Sequence, residues 1–166
     1  MWMGDDVSAA AEARVPIDLW QYDRPLPDWA REITTDFDVE RLLETVVERC
    51  LAVAFPSHAH DEEFRERLHA SCRANAYCLR SVIAGSISLD EVYLEQVLSF
   101  ATVQAQLRIP QKSTQRSYRV SFFTMWEAWS RRLRAEIARR GIPCKEAVEA
   151  HQLLTQIILG YQDHVA

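Results

Sequence analysis

The chain has 166 residues, enough for one domain that buries about two-thirds of the surface exposed by its unfolded chain, so no disulfide or metal is required for stability. Only four glycines and six prolines occur, which argues against a β-sandwich or barrel, because those folds need a tight turn about every ten residues. The formal net charge of −5 argues against direct nucleic-acid contact, which requires a surplus of Lys and Arg facing phosphates.

Residues 1–37 are predicted to form an N-terminal arm, separate from a helical domain over residues 38–166. Three prolines interrupt the arm, and proline disfavours helix in the residue before it. We therefore expect an irregular segment that packs over another surface through its apolar side chains. These side chains are Ile17, Leu19, Trp20, Tyr22, Leu26 and Trp29.

Two helices are predicted next. Over residues 39–51 the apolar side chains recur every three or four positions, which is the spacing of a buried helical stripe. Asp38 suits the N-cap of this helix, and Pro56 ends the pattern. A second helix is predicted over residues 61–84, where acidic residues in the first turn interact favourably with the helix dipole. Gly85 is expected to end it.

The next helix boundary is predicted from a capping box. Ser88 is followed three residues later by Glu91, and in this motif each side chain bonds the backbone N–H of the other residue at a helix start. We therefore expect a third helix to begin near Ser88, to carry an apolar stripe from Val92 onwards, and to run to Arg108.

A long fourth helix and a fifth helix complete the predicted fold. Pro110 suits the first position of the fourth helix, whose apolar stripe covers residues 118–137, and Gly141 supplies its C-terminal stop. Pro143 opens the fifth helix, with a stripe over residues 148–161. The predicted fold class is therefore all-α, a bundle of about five helices behind the irregular arm.

The sequence carries no recognisable catalytic apparatus. It contains no nucleophile elbow, and its glycines stand singly, so neither a Walker loop nor a dinucleotide-binding fingerprint can be written. No convergent set of titratable groups can be named either. We therefore expect a non-enzymatic protein without a cofactor.

The histidines offer two weak alternatives for ligand binding. Residues 58–63 combine imidazoles with carboxylates, which are proper metal ligands. No second ligand cluster accompanies them, so we interpret the segment as a polar loop with acidic first-turn residues and predict no metal site. His151 is the least implausible haem ligand, as would be needed in a globin-like sensor.

Two groups of side chains on the fourth helix could face a partner. A run of arginines is interpreted as a solvated face that complements the helix dipole, with anion or nucleic-acid contact as the alternative. Its members are Arg131, Arg132, Arg134, Arg139 and Arg140. Four aromatic residues in eight positions cover more than one side of a helix, so part of them can face a partner as well as the core. They are Phe122, Phe123, Trp126 and Trp129.

We place the candidate interface at Phe123, Trp126 and Trp129 and expect a homodimer. A self-complementary apolar strip needs length, which makes the long fourth helix the natural element to pair across a two-fold axis.

The cysteine pattern and the first residues predict a cytoplasmic location. Four cysteines occur with no CxxC pair, which suits reduced, packed thiols. The first six residues include acidic ones where a secretory signal carries basic ones, and no stretch approaches the ~18 uncharged apolar residues of a membrane span.

The segment from Pro110 through the triplet Tyr118-Arg119-Val120 to Trp126 resembles the N-terminal helical domain of PucR-type (CdaR-like) transcriptional regulators. It also looks like the N-terminal domain of the RsbR co-antagonist group. In the PucR-type family a proline leads to a Tyr-Arg-Val triplet, and a tryptophan follows at the spacing found here. The chain departs from the family at Ser121, where glycine is common, and at Lys112, where an apolar residue is common.

The resemblance implies a signal-input or dimerisation domain for transcription regulation. PucR-type regulators continue into a degenerate GGDEF-like domain and a helix-turn-helix, so we expect an excised regulatory domain or a stand-alone relative without DNA-binding capacity. A small-molecule effector or a protein partner would supply the signal. A ligand or cofactor carrier with a cavity between helices is the alternative, with His151 or residues 58–63 as the polar contact.

Overall fold

The computed structural model describes residues 24–166, which form α-helices and 3₁₀ turns but no strand. The all-α fold expected from the sequence is therefore confirmed. The helices are α1 Asp28–Arg31, α2 Val39–Val53, α3 Glu62–Ala84, α4 Glu95–Gln106, α5 Gln111–Arg140 and α6 Cys144–Val165.

The ends of α2 and α3 lie where the sequence signals place them. The carboxylate of Asp38 accepts a hydrogen bond from the backbone N–H of Arg41 at 3.0 Å, and that of Asp61 accepts one from Phe64 at 3.2 Å. Each carboxylate thus satisfies a backbone donor that has no partner inside the helix. Gly85 ends α3 in the left-handed conformation with φ +75°, which glycine adopts without steric cost.

The third predicted helix begins later than expected. The capping box of Ser88 and Glu91 forms, but it closes a 3₁₀ turn rather than the first turn of an α-helix. Val92 and Leu94 are extended and both pack against the core, whereas Tyr93 between them is 76% exposed. Extended backbone directs alternate side chains to the same side, which a helical turn over these residues would not do, and α4 therefore starts only at Glu95.

The joints around α5 are short. Pro110 and Pro143 are the N-caps of α5 and α6 rather than their first helical residues. Helix α4 ends at Gln106, two residues before its predicted end at Arg108. Arg108 has φ 52° and therefore lies outside the helix. Gly141, with φ 64°, ends α5 as expected.

The described part of the predicted arm belongs to the core. Leu26, Ala30 and Ile33 are almost completely buried, and Trp29 packs against the same cluster. The predicted anchors Ile17, Leu19, Trp20 and Tyr22 lie outside the described residues.

Helix α2 occupies the centre, between α3 and α5. Helix α6 packs against both α5 and α3, and α4 packs mainly on α3. Within residues 24–166, no helix has the length and apolar character needed to cross a membrane.

Candidate functional site

The candidate interface residues on α5 occupy three different environments. Trp129 has no exposed surface, and its indole stacks on the ring of Phe37 with centroids 3.7 Å apart and an interplanar angle of 13°. The side chain of Trp129 is therefore buried entirely within one chain, and a second copy cannot contact it.

Trp126 and Phe123 face outward to increasing degrees. Trp126 is half-buried, and its Nε1 donates a hydrogen bond to Thr155 Oγ1 on α6 at 2.9 Å. Phe123 is 56% exposed and its ring centroid lies 6.0 Å from that of Trp126. At the middle of α5, Phe123 is thus the exposed large apolar side chain, and Trp126 beside it is partly exposed.

Opposite charges flank Phe123 on the same helix face. Arg119 lies one turn before it and is exposed. Glu127 lies one turn after it with 36% of its side chain exposed, and its carboxylate also pairs with Arg49 of α2 at 3.0 Å. Residues four apart share a helix face. We call Arg119, Phe123, Trp126 and Glu127 the α5 strip.

The positions that carry the family resemblance have separate structural roles. Pro110 is the N-cap residue of α5, and Trp126 forms a hydrogen bond from α5 to α6. Arg119 is exposed. Tyr118 lines an internal cavity, where burial raises the pKa of its hydroxyl.

This cavity lies among α2, α3, α4, α5 and α6 and measures about 50 Å³. None of its lining side chains is charged, but many of them can form hydrogen bonds. The polar lining residues are Ser71, Asn75, Gln104, Ser117, Tyr118, Ser121 and Gln162, together with the thiols of Cys50 and Cys72. A cavity between helices was the alternative predicted from the sequence, but its proposed polar contacts, His151 or residues 58–63, do not line this cavity. The polar residues Ser71, Gln104 and Ser117 on buried helix faces were the signal for the actual lining.

The thiols of Cys50 and Cys72 interact inside the cavity. Cys50 is fully buried, and its Sγ lies 3.2 Å from Ser121 Oγ and 3.8 Å from the carbonyl oxygen of Ser117. A hydrogen bond with Cys72 lowers the pKa of Cys50, an effect that burial opposes and Ser121 supports. The same hydrogen bond, together with burial, raises the pKa of Cys72.

The other cysteines differ from the packed thiols that the sequence predicted. Cys78 is only partly buried and Cys144, the first residue of α6, is exposed. The position of Cys144 beyond Pro143, before the apolar stripe of α6 begins, explains its exposure.

The residues considered as ligands have other local roles. The His58 ring stacks on Phe64 with centroids 4.8 Å apart, and Asp61 caps α3. His151 is half-buried on α6, and burial first and the charge of Arg134 second lower its pKa. In the described part of the chain, no group of three His, Cys, Asp or Glu side chains could hold a metal ion.

The arginine run at the end of α5 is organised around Glu136. This carboxylate is buried and accepts hydrogen bonds from Arg139 and Arg140, which lower the pKa of Glu136 to about 2. Arg140 also pairs with Glu32, so the cluster joins the end of α5 to the segment before α2. This part of the run is an ion-pair network and not a free basic surface.

Comparison with known proteins gives one finding. The model of the family described as RsbT co-antagonist protein rsbRD N-terminal domain matches residues 40–163. No curated protein and no solved structure matches the chain. The matched range runs from the start of α2 almost to the end of α6 and contains both the α5 strip and the cavity. The chain therefore belongs to the family of RsbT co-antagonist protein rsbRD N-terminal domains.

Proposed function

We propose that this chain is a non-enzymatic signal-input domain that pairs with a second copy of itself through the α5 strip. Membership of a family of regulatory N-terminal domains supports the regulatory role. The observation that carries the pairing is the exposure of Phe123 between two opposite charges on the longest helix of the described residues.

A two-fold axis at Phe123 makes the strip self-complementary. In an isologous dimer, when one residue of the first copy contacts a second residue of the other copy, the reciprocal contact also forms. When two α5 helices cross in antiparallel orientation at Phe123, Arg119 of one copy faces Glu127 of the other, and the reverse. The aromatic contact is then flanked on both sides by an ion pair.

The ends of α5 favour a contact limited to its middle. Lys112 and Arg134 lie about 16 Å on either side of Phe123, from a rise of 1.5 Å per residue, so the same antiparallel arrangement brings these cations of the two copies towards each other. Helices that cross at an angle diverge away from the contact point, which reduces this repulsion.

The test is the oligomeric state of a Phe123→Asp variant. We expect the wild-type chain to have twice the mass of 19.2 kDa by light scattering, and the variant to have the mass of one chain with an unchanged helical circular dichroism spectrum. Leu98→Asp is the matched control, because Leu98 is 55% exposed on α4, and it should remain a dimer. A Phe123→Asp dimer with wild-type affinity would refute the proposed interface.

The family name and the sequence resemblance suggest two settings for the domain. The family is named for an RsbT co-antagonist protein, so we propose that the chain supplies the input to a regulator of that kind. The spacing of Pro110, Tyr118 and Trp126 extends the proposal to transcription regulation of the PucR type, in which another domain would contact DNA. A cytoplasmic location agrees with the absence of a CxxC pair in the sequence.

The internal cavity favours a second candidate function, a sensor of a small neutral molecule. Its lining offers hydrogen bonds but no charged side chain to pair with a charged ligand, so a neutral polar ligand suits it best. The test is mass spectrometry of small molecules released when the purified protein is denatured. Ala76→Leu would fill part of the cavity. A neutral compound released from the wild type but not from this variant supports the sensor, and equal release from both contradicts it.

A further inference from the structure

We propose that Cys50 and Cys72 form an oxidation site, in which hydrogen peroxide converts the two thiols into a disulfide between α2 and α3. The site extends the input role to a chemical signal, and it does not depend on the proposed dimer.

The fold places the two thiols around one cavity. Cys50 is on α2 and Cys72 is on α3, two helices that pack against each other. Both side chains line the same cavity, and each thiol is close enough to the other to shift its pKa. Cys78 and Cys144 do not line this cavity, so the arrangement is specific to one pair.

The surroundings of Cys50 favour it as the thiol that reacts first. Ser121 Oγ lies 3.2 Å from Cys50 Sγ, where its hydroxyl can donate to the sulfur. This contact and the hydrogen bond with Cys72 hold the pKa of Cys50 below that of an ordinary cysteine in spite of its burial. The thiolate is the nucleophilic form of cysteine, and Cys50, with its lowered pKa, forms it more readily than Cys72, whose pKa is raised.

The cavity is suited to peroxide rather than to larger oxidants. A cavity needs about 10–15 Å³ of free space to hold one water molecule, so a cavity of about 50 Å³ has room for a molecule with two oxygen atoms. Hydrogen peroxide is neutral and can donate and accept hydrogen bonds, which matches an uncharged polar lining. A bulky disulfide such as oxidised glutathione does not fit.

The reaction proceeds in two balanced steps. The Cys50 thiolate attacks one oxygen of hydrogen peroxide, the O–O bond breaks, and the departing hydroxide takes a proton to become water, which leaves Cys50 as a sulfenic acid. The Cys72 sulfur then attacks the Cys50 sulfur, the S–O bond breaks, and a second water leaves with the thiol proton. Overall, two thiols lose two electrons and two protons, and one peroxide is reduced to two waters.

The disulfide would alter the packing next to α5. Cys50 contacts Ser117 and Ser121, which both belong to α5. Covalent attachment to Cys72 removes the S–H donor of Cys50, so its hydrogen bond to the carbonyl oxygen of Ser117 on α5 is lost. Oxidation inside the bundle is thereby coupled to the helix that carries the α5 strip.

The test is peptide mapping of the full chain after treatment with hydrogen peroxide. We expect a cross-linked peptide that contains Cys50 and Cys72, a loss of two hydrogen atoms in mass, and recovery of both thiols with a reductant. A chain in which both residues remain open to alkylation after unfolding, at a peroxide dose that oxidises Cys144, overturns the proposal. This mapping needs no variant and does not depend on the oligomeric state.

Two variants separate the roles of the residues. In Cys72→Ser the disulfide cannot form, and a 1,3-diketone reagent should instead trap a sulfenic acid on Cys50. Ser121→Ala removes the hydroxyl next to Cys50 and should slow disulfide formation severalfold, whereas Ser130→Ala, on α5 but not among the cavity-lining residues, should not. Equal rates in Ser121→Ala and the wild type would contradict the assignment of Cys50 as the first nucleophile.

Discussion

The ring of Phe37 stacks on the indole of Trp129 with a centroid distance of 3.7 Å. Phe37 belongs to the segment that precedes α2, and Trp129 lies in the second half of α5. The stack therefore fixes the entry to the central helix against the longest one, and together with Leu26 and Ile33 it makes the segment before α2 part of the core.

Trp129→Ala should destabilise the fold rather than act on pairing alone. Removing a fully buried tryptophan leaves a large cavity and typically costs about 3–5 kcal/mol. We expect a loss of this size in the free energy of unfolding measured with urea. Leu98→Ala, at a position that is 55% exposed, is the control and should change it by less than about 0.5 kcal/mol. A stable Trp129→Ala monomer with wild-type unfolding energy would contradict this interpretation of the stack.

Periodicity predicted the helices but not the use of each aromatic residue. A stripe of apolar side chains identifies the buried face of a helix, yet it does not say which neighbour covers that face. Trp129 and Phe123 are both aromatic residues of the same helix, yet Phe123 is exposed. Trp129 is covered by Phe37, a residue outside any helix. The division of α5 into core and surface thus depends on contacts between distant segments, which the sequence pattern does not encode.

The capping box at Ser88 illustrates how a local motif can be right about its hydrogen bonds and wrong about the helix. The motif correctly predicted the side-chain to backbone hydrogen bonds, because these are local. The backbone beyond the turn is determined by the burial of Val92 and Leu94, which are extended so that both reach the core. Tertiary packing therefore overrides a local helix signal for the residues between Glu91 and Glu95.

The residues that line the cavity could not be predicted, because they come from five helices. Cys50 is buried in the core as expected, and Cys72 is partly buried against it. That both line one cavity depends on the register between α2 and α3. A polar residue on a buried helix face indicates a buried polar site, whereas its partners are known only from the fold.

The charges of the α5 strip provide a test of the antiparallel dimer. Arg119→Glu removes two Arg–Glu pairs per dimer and replaces them with repulsion, and at about 0.5 kcal/mol for each exposed pair we expect association to weaken by at least about fivefold in sedimentation experiments. The effect should decrease at high salt, which screens exposed charges.

Arg134→Glu is the matched control for Arg119→Glu. It makes the same change of charge at another exposed position of α5, where the proposed arrangement brings Lys112 of the second copy near. We therefore expect association to stay the same or to strengthen. Equal weakening by both variants would show that net charge, and not the proposed pairing, controls association.

The pKa of Glu136 makes stability depend on acid pH. Arg139 and Arg140 lower the pKa of Glu136 to about 2 from an unperturbed value of 4.5. A carboxyl with a depressed folded-state pKa stabilises the fold fully above the unfolded pKa, and this contribution is lost as the pH falls from 4.5 towards 2. Glu136→Gln should therefore lower the melting temperature at neutral pH and flatten its fall over this acid range.

Glu44→Gln is the control for Glu136→Gln, since Glu44 is exposed and takes part in no ion pair among residues 24–166. It should leave the acid profile of the melting temperature as in the wild type. If the two variants have the same profile, the ion-pair cluster around Glu136 contributes nothing to the pH dependence.

The cap of α3 should be sensitive to the loss of one hydrogen-bond acceptor. Asp61 accepts the backbone N–H of Phe64 at 3.2 Å, and replacing an N-cap side chain with alanine typically costs about 1 kcal/mol. We expect Asp61→Ala to lower the free energy of unfolding by about this amount, measured with urea. Asp61→Asn keeps an oxygen at the same position, and asparagine caps helices about as well as aspartate, so it should retain most of the stability. If both variants lose the same stability, the charge of Asp61 near the N-terminus of α3 matters more than its hydrogen bond, because asparagine keeps the acceptor and removes only the charge.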